Sequence, residues 1–470
     1  MVILARRLSL VLLLAGVLNA GALAQAPSGL SAAEQKQIDE IAAKSLAATG
    51  VPSASVAVVK GGKLVYARAY GDAVLDPATP AEPQMRYSIG SISKQFCAAA
   101  ILLLQQEGKL SLDDPVAKWV PDVTRAHEVT IRELLSHTSG YQDYWPQDYV
   151  MPNMLKPTTA QQILDGWARI PLDFDPGTKW QYSNTNFVLA GLIVEKASGM
   201  PFMQFVTERI FKPLNMRSVL DIDQSRLTES DAHGYLRYAL GPPRPAPKEG
   251  KGWLFAAGEL AMTASDLARW DISMIEQSLL RPASYREMER EVLLKNGAGT
   301  GYGLGVDVEM KNGRRMISHG GEVSGFTAEN VVFPDEGAAI VVLTNMDAAG
   351  AADRITGKIV PVLFPVADKN EAERLATARK LFEDLQQGKL DRSVLTSNCS
   401  FYFSEQAIAD FASSLGPLGP PTEFKQSRYS ERGGMDFRAY TVKFKDGKTV
   451  RITMRDLPNG KVEQFQVAAE

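Results

Sequence analysis

The chain of 470 residues predicts an α/β (α+β) fold: an antiparallel sheet flanked by helices with a helical subdomain, then a small C-terminal α+β domain. Three observations carry this. Strand-like alternation at 54–70 returns at 302–344, with helical and turn-rich sequence between. One antiparallel sheet drawn from both ends of that region, covered by helices, is the economical solution. Helix signals then start again after Asp368 and are followed by strand signals. Finally, 45% hydrophobic and 22% charged residues are ordinary globular values.

The elements follow in order. Ser31-Ala-Ala-Glu34 is a capping box ahead of a helix to about Leu46. ASVAVVK and KLVYARAY alternate around Gly61-Gly62, which predicts a β-hairpin. Residues 92–107 are nearly all apolar and stop at Gly108, as a buried helix does. GPPRPAPKEGKG at 241–252 reads as loop only. Strand character returns at 302–310, 315–320, 328–333 and 338–344, with a turn at Pro334-Asp335-Glu336-Gly337 and a helix at about 350–363. Beyond Asp368, helices are expected at 370–387 and 405–415. Strands follow at 437–444, 448–455 and 461–467, joined by Asp446-Gly447 and Asn459-Gly460 turns. That unit loosely resembles the cone-shaped nuclear-transport-factor-like fold.

Residues 1–24 read as a signal peptide. Arg6 and Arg7 precede the apolar run Leu8 to Leu18, and Ala22-Leu23-Ala24 is a small-x-small cleavage site. A periplasmic or secreted protein is expected, with no membrane span after cleavage, since no later run reaches about twenty apolar residues. Lys plus Arg number 51 and Asp plus Glu 54, a formal net charge of −3, which argues against a nucleic-acid partner. Four histidines lie far apart with no His-Glu-x-x-His pattern, so no metal or other cofactor is expected. The two cysteines cannot form a disulfide framework. Cys97 reads as a small core residue.

Three short motifs carry chemistry. Ser91-Ile-Ser-Lys94 is the chain's one Ser-x-x-Lys and opens the buried helix, so both side chains face the same way. Burial disfavours an ammonium, which poises Lys94 either to accept a proton from Ser91 or to polarise its hydroxyl. Tyr182-Ser183-Asn184 is the one Tyr-x-Asn among 14 tyrosines. His319-Gly320-Gly321 sits in a strand, where two glycines bare one face for a substrate backbone.

These motifs, in this order, resemble the penicillin-recognising serine hydrolases: class C β-lactamases, D-alanyl-D-alanine carboxypeptidases, D-aminopeptidases and related esterases. The segments YSIGSISKQF, IRELLSHTSGY, PGTKWQYSNTNFVLAGLIVEKASG, AAGELAMTASDLARW, YGLGV, ISHGGEVSGF and VVFPDEGAAIVVLTN share the likeness, over roughly 32–365. The resemblance implies a β-lactamase/DD-peptidase-like hydrolase domain at 30–366, with 369–470 a small α+β domain of no assigned role. It implies Ser91 as acylated nucleophile, Lys94 as its proton partner and Tyr182 as second acid/base. It places Asn184 on the substrate amide or the Lys94 ammonium. It also implies that Ser91 N–H and a second N–H after the glycines, at Glu322, would form the oxyanion hole. By the same likeness His319, Gly320 and Gly321 would line the substrate.

His-Gly-Gly stands where β-lactamases of this group carry Lys-Thr-Gly. A neutral histidine holds a carboxylate more weakly than lysine, and glycine lacks the hydroxyl, so poor β-lactam turnover is expected. The expected function is an exported serine hydrolase acting through an acyl-enzyme, D-peptidase or DD-carboxypeptidase-like, on small peptides such as those of the cell wall. A small-ester hydrolase or weak β-lactamase is the alternative, and a non-catalytic penicillin-binding regulator another. No Gly-x-Ser-x-Gly elbow is present, which excludes an α/β-hydrolase. Tyr141, Tyr144, Trp145 and Tyr149 are candidate cleft walls, and His137 reads as a structural hydrogen-bonder.

Overall fold

The structure, a computed structural model, describes residues 29–365 and 368–469. The expected signal peptide lies outside the described residues. The chain forms two compact units, divided between Val362 and Leu363.

In the first unit the helix Ala32–Thr49 starts with the expected box: the Ser31 hydroxyl accepts from Glu34 N–H, and the Glu34 carboxylate accepts from Ser31 N–H. It packs on the hairpin Ser53–Lys60 and Lys63–Leu75. The hairpin joins Ala338–Thr344 in antiparallel register, with Val56 opposite Val342, so both ends of the region do share one sheet. Its seven strands run Ala78–Pro80, Lys63–Leu75, Ser53–Lys60, Ala338–Thr344, Phe326–Phe333, Arg314–Val323 and Asp307–Lys311. The two central strands are buried almost throughout, because their near-continuous small and β-branched residues are covered on both faces. Helix Ala264–Glu276 covers one face.

Helices Ser93–Gln106 and Asn184–Ser198 pack against each other and against the short helix Phe255–Gly258. All but the last two residues of Ser93–Gln106 are buried. Three local expectations change. The strand expected from 302 starts at Asp307. The 241–252 segment holds a two-residue strand, Arg244–Pro245, paired with Tyr235–Leu236. Ser91 lies in a 3₁₀ turn, Gly90–Ile92, rather than in the helix, which begins at Ser93.

The second unit carries helices Glu371–Gln386, Ser397–Tyr402 and Glu405–Leu415 and a four-stranded antiparallel meander. Its first strand, Glu423–Arg432, lacks a clear apolar alternation and was not anticipated. Leu381, Phe382, Tyr440 and Ile452 form part of its core. Arg438 is wholly buried there, with Asp368 at 2.6 Å and Asp456 at 2.5 Å. Cys97 and Cys399 are both buried free thiols.

Candidate active site

Two glycines decide where Ser91 stands. A Cβ on Gly321 would lie 2.0 Å from the Ile89 carbonyl oxygen. A Cβ on Gly90 would lie 2.7 Å from Glu322 N, and Gly90 has φ +50°. Their absence lets the 89–91 turn seat directly on the strand Arg314–Val323, bringing the Ser91 turn against the Glu322 backbone. The bare face expected to admit a substrate backbone is thus occupied, at Gly321, by the chain's own turn. At Gly320 the backbone is not crowded in this way: a Cβ there would lie 3.3 Å from the Glu329 carboxylate, the end of a flexible side chain.

Lys94 is fully buried. Its Nζ donates at 2.8 Å to each of three oxygens: Ser91 Oγ, Asn184 Oδ1 and the Ala257 carbonyl. That saturates an ammonium without any carboxylate contact. Burial pulls the Lys94 pKa down to about 7, against a raising influence from nearby Asp143. On losing a proton, the amine can keep Asn184 and Ala257 as acceptors and turn its lone pair to the Ser91 hydroxyl.

Asn184 is oriented by Asp143, which accepts from the Asn184 backbone N–H at 3.0 Å and from Nδ2 at 3.2 Å. The amide oxygen is therefore the end that faces Lys94. Asp143 was not anticipated. It lies in the aromatic stretch YQDYW, where its only signal was a lone carboxylate among rings.

The Tyr182 hydroxyl is shielded from solvent and has no hydrogen-bond partner of normal geometry. Ser91 is close enough to ease its ionisation, but burial outweighs this and pushes the phenol far above its ordinary range. Tyr182 therefore holds its proton at rest. Its ring lies 4.2 Å from that of His137, and Lys94 Nζ lies 5.0 Å from its centroid. His137 Nδ1 accepts from Ser183 N–H at 3.1 Å, which fixes the Tyr-Ser-Asn segment. Burial keeps that imidazole neutral. The structural role read for His137 fits this geometry.

His319 is buried, and both ring nitrogens are engaged. Nδ1 donates to the Gly320 carbonyl at 2.5 Å, so Nε2 is the acceptor for the Tyr302 hydroxyl at 2.8 Å. Burial lowers the His319 pKa to about 3, with Lys94 adding to the effect. His319 is a fixed neutral ring with no free donor. Tyr302, in YGLGV, was unmarked in the sequence because nothing local links it to position 319.

A cleft of about 530 Å³ opens over Ser91. Tyr144, Trp145 and Tyr149 line it as expected, together with Trp180 and Leu254. Tyr141 does not: it is a core residue whose hydroxyl donates to the Thr124 carbonyl. A second opening is lined by Ser91, Tyr182, His319 and Gly320.

The family model described as Beta-lactamase matches residues 38–359. The chain belongs to the β-lactamase family. Members of this family are serine hydrolases, and this protein is one. It is 29% identical over 308 residues to "Penicillin-binding protein 4*" of Bacillus subtilis, covering 62% of this chain and 68% of that one. It is 30% identical over 329 residues to "Protein flp" of Staphylococcus aureus, covering 67% and 64%. The match thus spans about two thirds of these curated relatives. Among solved structures, a D-stereospecific amidohydrolase from Streptomyces sp. aligns with TM-score 0.61 and 29% identity over 71% of this chain and 99% of that one. An octameric penicillin-binding protein homologue from Pyrococcus abyssi aligns with TM-score 0.62 and 21% identity over 92% and 99%, a likeness of fold alone. Within this β-lactamase-family chain, no helix among the described residues is long and apolar enough to cross a membrane. No group of three His, Cys, Asp or Glu among them could hold a metal ion.

Proposed function

We propose that this serine hydrolase is exported and cleaves amide bonds in short D-amino-acid peptides, such as those of the cell wall, through an acyl-enzyme on Ser91. The observation that carries the reading is the 2.8 Å approach of a buried Lys94 with a pKa near 7 to the Ser91 hydroxyl. Neutral Lys94 takes the Ser91 proton as Oγ bonds to the scissile carbonyl carbon. The N–H groups of Ser91 and Glu322 receive the resulting oxyanion; losing one such donor costs about a hundred- to a thousandfold in rate. Tyr182, which keeps its proton at rest, gives it to the leaving nitrogen as the C–N bond breaks, and is refilled from the Lys94 ammonium. Water then attacks the ester, passing its proton through Lys94 back to Ser91 Oγ. Asn184 holds Lys94 in place and faces the substrate cleft. The 29% identity to a D-stereospecific amidohydrolase supports the D-amino-acid preference.

A small-ester hydrolase is a second reading, favoured by the apolar wall that Trp145, Trp180 and Leu254 give the cleft. Turnover of D-Ala-D-Ala peptides and D-amino-acid amides against p-nitrophenyl butyrate separates the two. In both, a fluorophosphonate adds mass at Ser91 and fails to do so in Ser91→Ala. A wild-type protein that neither turns over nor labels would be a non-catalytic binder instead.

A further inference from the structure

Two of the three oxygens on Lys94 come from elements that are themselves held in place from a distance. Asn184 opens the helix Asn184–Ser198, and the Ala257 carbonyl belongs to the short helix Phe255–Gly258. The two helices meet at Gly191, where a Cβ would lie 2.6 Å from the Ala256 Cβ and 2.7 Å from the Phe255 ring. That ring fills the space and packs on Phe202, with centroids 5.7 Å apart. The same segment borders the main cleft, which Leu254, Ala257 and Gly258 line.

The turn into the short helix is strained. Phe255 has φ +36°, a conformation that a residue with a Cβ rarely adopts, and such positions persist where the surroundings fix them. The fixing group is Asp223, a buried carboxylate 32 residues earlier. Its Oδ2 accepts from Phe255 N–H at 2.7 Å and from Leu254 N–H at 3.2 Å, so one oxygen holds both peptide groups of the turn. Asp223 is itself seated: Asp221 Oδ1 accepts from Asp223 N–H at 2.9 Å and from Gln224 N–H at 3.1 Å. The neighbouring Ile222 N–H donates to the Glu259 carbonyl at 2.8 Å, which fastens the far end of the short helix to the same segment. A helix of four residues is too short to be stable by itself. Its place is set by residues 221–223 and by the packing at Gly191.

We propose that Asp223 is a positioning residue for the Ser91 reaction: it holds the strained turn at Leu254 and Phe255, and so keeps the Ala257 carbonyl on Lys94. The inference rests on the Ser91 acyl-enzyme reading and names the remote group that keeps its general base in line. Without that carbonyl, one N–H of a fully buried ammonium loses its acceptor. The charged form becomes less favourable, the amine becomes a weaker base, and its aim at Ser91 Oγ loosens. Asp143, Cys97, His137, His319 and Tyr182 are the titratable groups that act on Lys94 or lie against it, and the substitutions below leave all of them in place.

The test uses the full chain, p-nitrophenyl butyrate and a fluorophosphonate, with the variants Asp223→Ala and Asp223→Asn. In Asp223→Ala, kcat is expected to fall about a hundredfold, the scale for misplacing a reacting group by about 1 Å, with KM within about twofold of wild type. The inflection of kcat/KM against pH, near 7 in the wild type, should move down by about half a unit or more. Asp223→Asn keeps an oxygen that can accept from both N–H groups, and should restore the inflection and most of kcat. The rate of Ser91 labelling against pH gives the same reading if the ester proves a poor substrate. Asp223→Ser, whose hydroxyl is too short to hold both groups, replaces the alanine variant should that one not fold. If neither folds, Asp223 serves stability alone and the proposal is overturned. An unchanged kcat, a loss with the inflection unmoved or raised, or an asparagine variant as impaired as the alanine one also overturns it, while leaving Ser91 chemistry intact. Hydrolysis or labelling that survives Ser91→Ala overturns the underlying reading instead. A wild-type protein that neither hydrolyses nor labels overturns both.

Discussion

The Tyr302 hydroxyl lies 2.8 Å from His319 Nε2, opposite the proton that Nδ1 gives to the Gly320 carbonyl. This pair settles what the histidine offers. With its pKa near 3, the ring is neutral across the working range and has no donor to spare. Tyr302→Phe would leave a buried acceptor unpaired. A loss of about 1–3 kcal/mol in stability is expected, read from urea denaturation; an unchanged midpoint would show that the pair is not formed.

The same relationship bears on β-lactams. With His319 neutral and no cation lining the main cleft among described residues, the carboxylate of a penicillin has no strong partner. Nitrocefin hydrolysis is expected to stay below ~10⁴ M⁻¹s⁻¹, the lower end of ordinary enzyme efficiency. A steady-state value a thousandfold higher would contradict this account of the site.

In the proposed mechanism Lys94 sets the pH profile. Its amine accepts the Ser91 proton only when deprotonated, and burial brings its pKa to about 7. For a neutral ester, kcat/KM is therefore expected to rise as pH increases through about 7 and then level off. Lys94→Met, of similar length, should lower kcat about a hundred- to ten-thousandfold, the range for a general base, with circular dichroism unchanged.

Gly320 and Gly321 are expected to behave differently. Gly321→Ala drives a Cβ to within 2.0 Å of the Ile89 carbonyl and pushes the Ser91 turn off its seat. It should cost about 1–3 kcal/mol and most of the activity. Gly320→Ala meets the Glu329 side chain at 3.3 Å and the Ala328 carbonyl at an ordinary 3.9 Å, and should change stability by less than about 1 kcal/mol. Thermal melts of the two variants, run together, give the comparison.

In the second unit, Arg438 neutralises two buried carboxylates, Asp368 and Asp456. Arg438→Met strands both. A destabilisation of about 3–5 kcal/mol is expected for breaking such a cluster from one side, visible as an earlier unfolding step of the full chain.

The sequence by itself determined the order of the motifs, the hairpin, the capping box at Ser31 and the facing of Ser91 and Lys94, because all of these depend on groups a few residues apart. A separation of three residues brings Ser91 and Lys94 to one side in the 3₁₀ turn and the helix that follows it. The sequence also carried one antiparallel sheet drawn from both ends of the region, since strand-like runs at 54–70 and 302–344 flank the helical sequence; which strand of the second group meets 53–60 was decided by the tertiary structure. What only the tertiary structure decided is the state of those groups. Asn184 and Ala257 reach Lys94 from 90 and 163 residues away. Asp143 turns the Asn184 amide, Tyr302 fixes the His319 proton, and the turn at Ile89 claims the space left by Gly321. A pKa or a tautomer follows from how completely water is excluded and from which distant partner stands opposite, and neither is written in the residues on either side of the group.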